Sequence, residues 1–131
     1  MILPRVLLAD DHSAFLERTA ALLKPPFEIV GTVADGAALV SEALRLRPDV
    51  IVADITMHGL TGLDAAHRLR QSASSARIVF LTIHSEEQFV EACMAEGALG
   101  YVLKVHMRAH LIPAIKAALV GDTYICPFIP T

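Results

Sequence analysis

Five polar residues stand at the ends of short apolar runs, where side chains of a parallel sheet can meet. Asp10 and Asp11 follow the first run, Asp54 the third, Thr82 the fourth and Lys104 the fifth. In an open α/β sheet the carboxyl ends of the strands surround the ligand crevice, so we expect these side chains to share one pocket. Three carboxylates there would repel one another and raise their pKa values unless a cation joined them.

The same residues predict a site at which a phosphoryl group is transferred to a carboxylate. An all-oxygen group with few protein ligands suits Mg²⁺, a hard cation that keeps several of its waters. Such an ion would screen the attack of one carboxylate on a phosphoryl group and stabilise the developing charge. Lys104 would add a compact cation for one phosphoryl oxygen, and Thr82 could donate a hydrogen bond to another. A single acidic residue at a strand end is more often a cap, so the prediction depends on the combination.

These side chains need a sheet whose strands all run the same way. Short apolar runs, read as strands, lie at 6–9, 27–33, 50–53, 78–81 and 101–103. Stretches of helical period alternate with them near 13–24, 36–46, 62–72, 86–96 and 107–120. Four of the five runs are apolar throughout, as in parallel strands covered on both faces. We therefore predict an α/β fold of flavodoxin-like (βα)5 type, a doubly wound parallel five-stranded sheet with strand order 2-1-3-4-5.

Local signals mark where the predicted helices begin. Asp35 is placed to cap the second helix, and Thr61 with Asp64 resembles a capping box for the third. Ser85 and Gln88 have the spacing of a capping box for the fourth.

The ends of the later helices are marked as well. Gly97 and Gly121 stand where C-caps belong, after the fourth and fifth helices. Pro113 lacks a backbone N–H, so we expect it to kink the last helix or to delay its regular start.

Composition sets limits on the class of protein. The chain has 131 residues, 54% of them hydrophobic, which fits one domain with a sizeable core. With 11 basic and 14 acidic residues it offers no basic surface for nucleic acid or an anionic membrane. Cys93 and Cys126 show neither metal-ligand nor disulfide spacing, and Cys93 is expected to be a buried hydrophobe. With no signal peptide at its start and no membrane-spanning run, we expect a cytoplasmic protein.

The motifs together resemble one family, the receiver domain of bacterial two-component response regulators, over about residues 5–121. The pattern is most similar to the NarL/FixJ (LuxR-type) branch. The matching segments are Leu7-Leu8-Ala9-Asp10-Asp11-His12, Pro48-Asp49-Val50-Ile51-Val52-Ala53-Asp54, Met57, Gly59-Leu60-Thr61-Gly62, Leu81-Thr82 and Gly97-Ala98-Leu99-Gly100-Tyr101-Val102-Leu103-Lys104.

The resemblance implies a role for each residue of the pocket. Asp54 would be the phosphoacceptor, and Asp10 and Asp11 would belong to an acidic pocket for Mg²⁺. The backbone carbonyl of Thr56 would complete the protein's ligands to that ion, and Lys104 would pair with the phosphoryl group. The phosphodonor would be a sensor histidine kinase or a phosphotransfer protein.

The resemblance also implies a switch, with Thr82 as its hydroxyl and Tyr101 as its aromatic residue. A phosphoryl group on Asp54 would add charge and acceptor oxygens that draw Thr82 inward. Space left by Thr82 would let Tyr101 rotate and change the surface of the fourth helix and fifth strand. Alone, each residue would be ordinary strand packing.

Several residues depart from the usual family pattern. His58 stands where proline is usual, and Val105 where proline or a polar residue is common. Ile83 replaces a smaller residue after Thr82, and its bulk is expected to narrow access to Asp54. Four histidines, at positions 12, 58, 84 and 106, follow strand carboxyl ends. Most simply they are separate loop residues, and the sharper hypothesis is that they make Mg²⁺ binding or phosphate lifetime depend on pH.

Three other classes of protein are weighed against this one. A hydrolase of the haloacid-dehalogenase kind needs Asp-x-Asp, whereas Asp10 and Asp11 are adjacent. A flavin- or nucleotide-binding module needs a glycine- or hydroxyl-rich phosphate loop after the first strand, where this chain has acids. A receiver-shaped interaction domain that no longer accepts phosphate is the third, and the complete set of site residues argues against it.

We divide the chain into a receiver domain at 1–121 and a C-terminal tail at 122–131. The tail is expected to be extended, more linker than core, and to lead to a DNA-binding helix-turn-helix domain outside this chain. On that view the protein controls transcription without binding nucleic acid itself. A second copy of the chain is a further candidate partner, and no membrane partner is expected.

Overall fold

The parallel strands and the helices between them lie where the apolar periodicity predicts. The computed structural model describes residues 2–127. The strands are β1 (Arg5–Ala9), β2 (Glu28–Val33), β3 (Val50–Ala53), β4 (Arg77–Thr82), β5 (Gly100–Leu103) and β6 (Tyr124–Ile125). The helices are α1 (Ser13–Leu23), α2 (Gly36–Leu46), α3 (Gly62–Gln71), α4 (Glu87–Ala95) and α5 (Met107–Leu119), with a 3₁₀ turn at Lys104–His106.

The strands form one parallel sheet in the order β2-β1-β3-β4-β5-β6. The predicted order 2-1-3-4-5 is confirmed, and a sixth strand of two residues is added beside β5. That strand lies inside the stretch 122–131, which we expected to be more linker than core, and Cys126 just after it is buried. Residues 128–131 of that stretch lie outside the described residues. β1 and β3 are neighbours, so their carboxyl ends open onto one crevice.

The core has two layers because both faces of the sheet are covered. Helices α2, α3 and α4 pack on one face, and α1 and α5 pack on the other. Alternate strand residues serve the two layers, and for this reason the four inner strands, β1, β3, β4 and β5, are mainly apolar rather than alternating. Cys93 belongs to the first layer, and burial raises the pKa of its thiol to about 12, as expected of a small hydrophobic residue.

Two of the predicted helix caps are confirmed. The carboxylate of Asp35 accepts a hydrogen bond from the Ala38 amide at 2.7 Å at the start of α2. The hydroxyl of Thr61 accepts one from the Asp64 amide at 3.0 Å at the start of α3. Each bond satisfies an amide that the first turn of a helix leaves without a partner.

The capping box predicted for the fourth helix is wrong. Helix α4 begins at Glu87, its N-cap is Glu86, and no side chain caps it. The backbone of His84 is bonded on both sides: its N–H donates to the hydroxyl of Thr82, two residues earlier, and its carbonyl accepts from the Tyr101 hydroxyl, which is a tertiary contact. These bonds hold the segment after β4 extended, so the helix starts later than its sequence pattern indicates.

The later helices end as predicted, and Pro113 does not delay α5. Gly97 and Gly121 both adopt positive φ, 88° and 82°, after α4 and α5. Helix α5 is regular from Met107 through Leu119 with Pro113 inside it. Its start is prepared by the 3₁₀ turn that precedes it, so the expectation of a delayed start is wrong.

Candidate functional site

Lys104 lies between two buried aspartates at the carboxyl ends of the strands. Its Nζ is 2.7 Å from Oδ2 of Asp10, at the end of β1, and 3.0 Å from Oδ2 of Asp54, at the end of β3. Asp10 and Asp54 are only 4% and 5% exposed. Three residues that are far apart in the chain therefore meet, as the strand order requires.

Electrostatics at this position favour the charged form of the lysine. Burial, the largest single influence, lowers the pKa of Lys104, but hydrogen bonds to Asp10 and Asp54 and the charges of those carboxylates together outweigh it. The net result is a pKa above the ordinary value for lysine. An ammonium ion held between two carboxylates offsets part of the repulsion that their proximity would cause.

The two aspartates differ in how their remaining oxygens are used. Oδ1 of Asp10 accepts a hydrogen bond from the His12 amide at 2.9 Å. Oδ1 of Asp54 is buried and has no hydrogen-bond partner within residues 2–127. A buried carboxylate oxygen without a hydrogen-bond partner costs folding free energy, so a ligand at this oxygen would stabilise the site. The two carboxylates thus differ in chemistry although they share one lysine.

Asp54 and Lys104 open onto a cavity of about 590 Å³ that Asp11, Thr56 and His58 also line. Oδ2 of Asp11 lies 3.5 Å from Nδ1 of His58, which is largely exposed. The structure thus brings Asp11 and Thr56 to the pocket of Asp54, with Asp11 turned to the rim rather than to the lysine.

The residues present fit a hydrated divalent cation better than a bare one. Within the described part of the chain, no three acidic, histidine or cysteine side chains converge into a ready metal cage. The donors on offer are the oxygens of Asp10, Asp11 and Asp54 and the exposed Thr56. Mg²⁺ commonly binds through one or two carboxylates and keeps several waters, so a sparse all-oxygen set of this kind fits it.

Gly62 allows α3 to approach the strand that carries Asp54. A Cβ at Gly62 would stand 1.9 Å from the backbone oxygen of Asp54. The Gly62 amide also donates to the Ile55 carbonyl at 2.7 Å. Ile55, the residue after Asp54, is therefore fixed by a backbone contact that only glycine permits at position 62.

Thr82 and Tyr101 are both buried, and both bind the backbone of His84. The His84 amide donates to Oγ1 of Thr82 at 3.3 Å, and the Tyr101 hydroxyl donates to the His84 carbonyl at 2.7 Å. Burial raises the pKa of Tyr101 well above its usual range, with smaller contributions from the charges of Cys93, Glu86 and Asp54. The Tyr101 ring is thus fully buried in this structure. His84 links the hydroxyl of Tyr101 to the hydroxyl of Thr82 through its backbone.

The histidines do not form one group. His12 and His58 line the cavity, whereas the ring of His84 stacks on Phe89 of α4 at 4.3 Å between centroids. His106 instead meets His110 edge to face at 6.3 Å. The proposed pH dependence of metal binding or phosphate lifetime stays a prediction.

Two exposed apolar side chains flank the cavity. Ile83 and Val105 are 70% and 82% exposed, and both line it. The sequence singled out both positions but not a third residue of the cavity, Phe15. The Phe15 ring lies under the Lys104 ammonium, 4.5 Å from its centroid. The only sequence signal for it was an aromatic residue one turn into the helix that follows the acidic pair.

These features define the receiver class of signalling domain: a doubly wound parallel sheet, an acidic pocket, a strand-end lysine and a buried threonine–tyrosine pair. Comparison with known proteins agrees, because residues 6–116 match the response regulator receiver domain family. The chain belongs to that family, and the relatives it matches are of the NarL/LuxR type.

Individual relatives support the same assignment. The chain is 37% identical over 120 residues to the transcriptional regulatory protein LiaR of Bacillus subtilis, covering 90% of this chain and 57% of LiaR. It is 36% identical over 120 residues to the nitrate/nitrite response regulator protein NarP of Escherichia coli, covering 90% of this chain and 56% of NarP. A LuxR-family two-component response regulator from Aurantimonas superposes with a TM-score of 0.91 at 32% identity, covering 97% of this chain and 92% of that one.

The chain spans little more than half the length of the curated relatives it matches. Among residues 2–127, no helix combines the length and apolar character needed to cross a membrane.

Proposed function

We propose that Asp54 accepts a phosphoryl group from a phosphohistidine of a sensor histidine kinase or phosphotransfer protein, in a reaction that depends on Mg²⁺. The observation that carries this proposal is the buried Oδ1 of Asp54, beside the ammonium of Lys104, for which residues 2–127 provide no hydrogen-bond partner. In the transfer, an Asp54 oxygen forms a bond to phosphorus, the phosphorus–nitrogen bond of the donor breaks, and the imidazole leaves with a proton.

Asp10, Asp11, Asp54 and the backbone carbonyl of Thr56 would hold the Mg²⁺. When bound, that ion supplies positive charge for the oxygens of the transferring group. Asp10 is engaged by the His12 amide and by Lys104, so it is positioned before any ligand arrives. Asp11, at the rim of the cavity, is the carboxylate free to turn toward an ion.

Lys104 has the charge and the position to follow the phosphoryl group. Its ammonium is paired with Oδ2 of Asp54 at 3.0 Å, and an oxygen on phosphorus attached to Asp54 would be a stronger acceptor close by. Because Asp10 also holds Nζ, the lysine would keep one partner while it exchanges the other. We infer that this shared pairing keeps Lys104 charged and in reach through the reaction.

Thr82 and Tyr101 would carry the event from the site to the surface. New acceptor oxygens on Asp54 would draw the O–H of Thr82 toward them, and with it the oxygen that now accepts a bond from the His84 amide. Movement of the β4–α4 loop at His84 would then disturb the bond from Tyr101 to the same residue. The surface formed by α4 and β5 is thereby coupled to the state of Asp54.

The whole protein would be a cytoplasmic regulator of transcription. The relatives that are named as regulators are longer than this chain, which supports an output domain attached after the receiver domain at 1–121. We propose that a helix-turn-helix domain there binds DNA and that the present chain does not. A second copy of the present chain is a candidate partner.

The proposal is tested with a small acyl phosphate and Mg²⁺, followed by intact-mass measurement and by mapping of the modified residue. The wild type should gain one phosphoryl group on Asp54, a chelator should prevent the gain, and Asp54→Asn should show none. A wild type that gains no mass with the acyl phosphate or with a phosphorylated kinase would favour an interaction domain that no longer accepts phosphate.

A further inference from the structure

The ring of Phe15 is the third group around the Lys104 ammonium. Nζ lies 4.5 Å from the ring centroid, in addition to its ion pairs with Asp10 and Asp54. The guanidinium of Arg18, one turn further along α1, lies over the same ring at 5.2 Å. Phe15 also lines the cavity onto which Asp54 opens.

We propose that Phe15 is a positioning residue that holds the Lys104 ammonium over its ring face and inside the phosphoacceptor pocket. The inference rests on the proposed function, because it assumes that Lys104 assists phosphoryl transfer to Asp54. Phe15 has no acidic, basic or hydrogen-bonding group of its own, so its effect on phosphoryl transfer would act through Lys104.

The physical reason lies in the number of partners that an ammonium ion needs. Lys104 has three N–H donors, and the two carboxylates use the directions toward β1 and β3. The face of an aromatic ring carries partial negative charge and attracts a cation from the remaining side. Unlike a third carboxylate, the ring adds no charge that would compete with an incoming phosphoryl group.

The ring is held in place from the side of α1. Phe15 is half-buried and packs on the core layer beneath α1 and α5. Arg18 contacts the ring from the same helix, at the spacing that puts residues three apart on one face. A ring fixed in this way can define where the ammonium stays when its bond to Asp54 is exchanged for one to phosphate.

The first test measures the lysine without any phosphoryl chemistry. Competitive amine labelling at a single pH gives the reactivity of Lys104, with Lys24 and Lys116 in the same chain as internal references. A ring that holds the ammonium inside the pocket shields it from the reagent, so Phe15→Leu should label Lys104 about threefold faster, with Asp10 and Asp54 still facing it. Phe15→Tyr keeps the ring face and should match the wild type.

The second test measures phosphorylation of the same variants with an acyl phosphate and Mg²⁺. Phe15→Leu should be about fivefold slower than the wild type, and Phe15→Tyr should remain within about twofold. Leu22→Ala, which removes apolar contact from the same helix and the same core layer, reports the effect of weaker packing alone.

The outcomes separate this inference from the proposed function. An unchanged Lys104 labelling rate in folded Phe15→Leu overturns the inference, and so does a loss of phosphorylation rate that Leu22→Ala reproduces. If Phe15→Leu does not fold, Phe15→Met and Phe15→Tyr decide it: equal Lys104 labelling rates in the two overturn it. A wild type that takes no phosphate, with Lys104 labelling changed as expected, contradicts the proposed function while the contact between Phe15 and Lys104 stands.

Discussion

The two ends of the β-sheet both use a basic residue to join distant segments, but they do so differently. At the amino end of β1, the Arg5 guanidinium donates to the carbonyls of Leu46 and Arg47 at 2.8 and 2.9 Å, and its amide donates to Asp49 at 2.8 Å. At the carboxyl end, Lys104 joins two buried carboxylates, and one oxygen of Asp54 has no partner in the part of the chain that the structure describes.

The difference separates a structural contact from a reactive one. The bonds of Arg5 are made to neutral carbonyls and to the carboxylate of Asp49, an exposed residue, so these groups gain little from a ligand. The Lys104 cluster contains two buried acids for one base. Such a cluster is stable enough to persist and still gains from an added cation or phosphoryl group.

The largest effect is expected from removing the acceptor at the reactive end. Asp54→Asn should abolish the gain of phosphoryl mass and leave the fold intact, because an amide is similar in size and cannot form the acyl phosphate. Asp49→Ala at the opposite end is the matched control: it should lose stability and keep full phosphorylation. Phosphate on any other residue of Asp54→Asn, found by peptide mapping, would contradict the assignment.

Lys104→Met should affect both rate and stability. Two buried carboxylates would lose their shared cation, so the free energy of unfolding should fall by about 2 kcal/mol, and phosphorylation should slow by about tenfold or more. Because Mg²⁺ would neutralise the same acids, it should raise the urea midpoint of this variant more than that of the wild type. Equal shifts with Mg²⁺ would count against a metal site at these carboxylates.

Arg5→Met should affect stability alone. It removes two hydrogen bonds from the guanidinium to the end of α2, which should cost about 1 kcal/mol of unfolding free energy. Phosphorylation rate should equal that of the wild type when measured well below the melting temperature. A slower rate in folded protein would show that the two ends are coupled.

The smallest effect concerns alkaline pH, which should weaken the protein through buried groups whose pKa values are raised, and should leave the hydrogen bonds of Arg5 unchanged. Burial raises the pKa of the Tyr101 phenol in the folded state. The stability that the protonated phenol contributes is therefore complete below the pKa of the unfolded state, about 10, and is lost as pH rises above that value. Lys104, with its raised pKa, acts in the same direction. Tyr101→Phe should therefore lose less stability than the wild type above about pH 10, measured by urea unfolding at a series of pH values.

Arg5→Met is the control for this pH series. Its stability should fall with the same slope as that of the wild type, because no titrating group changes. If the wild type and Tyr101→Phe also lose stability in parallel, the Tyr101 phenol does not ionise on unfolding in that range and the expectation is wrong.

Most of the fold follows from the sequence because its signals are local and repeated. Four of the five runs are apolar on both faces, as in buried parallel strands, and the stretches between the runs carry one apolar face each. The position of Asp10, Asp54 and Lys104 follows as well, since strand ends in one parallel sheet must be neighbours. Their hydrogen-bond partners do not follow from any pattern.

The parts that could not be predicted depend on tertiary contacts. Helix α4 starts late because Tyr101 and Thr82 hold the His84 backbone, and neither bond has a signature near Ser85. Phe15 faces Lys104 because α1 runs beside the 3₁₀ turn after β5, an arrangement that helical period alone does not specify. Strand β6 is too short, at two residues, to show a period.

The sixth strand bears on where this domain can be cut. Tyr124 and Cys126 donate backbone hydrogen bonds to the carbonyls of Leu99 and Tyr101, and so they cover the outer edge of β5. A chain shortened to residue 121 would leave β5 as an open edge of unpaired amides and carbonyls, which is a common route to self-association through sheet extension. We therefore expect the segment 124–126 to protect the edge of β5 from pairing with another chain.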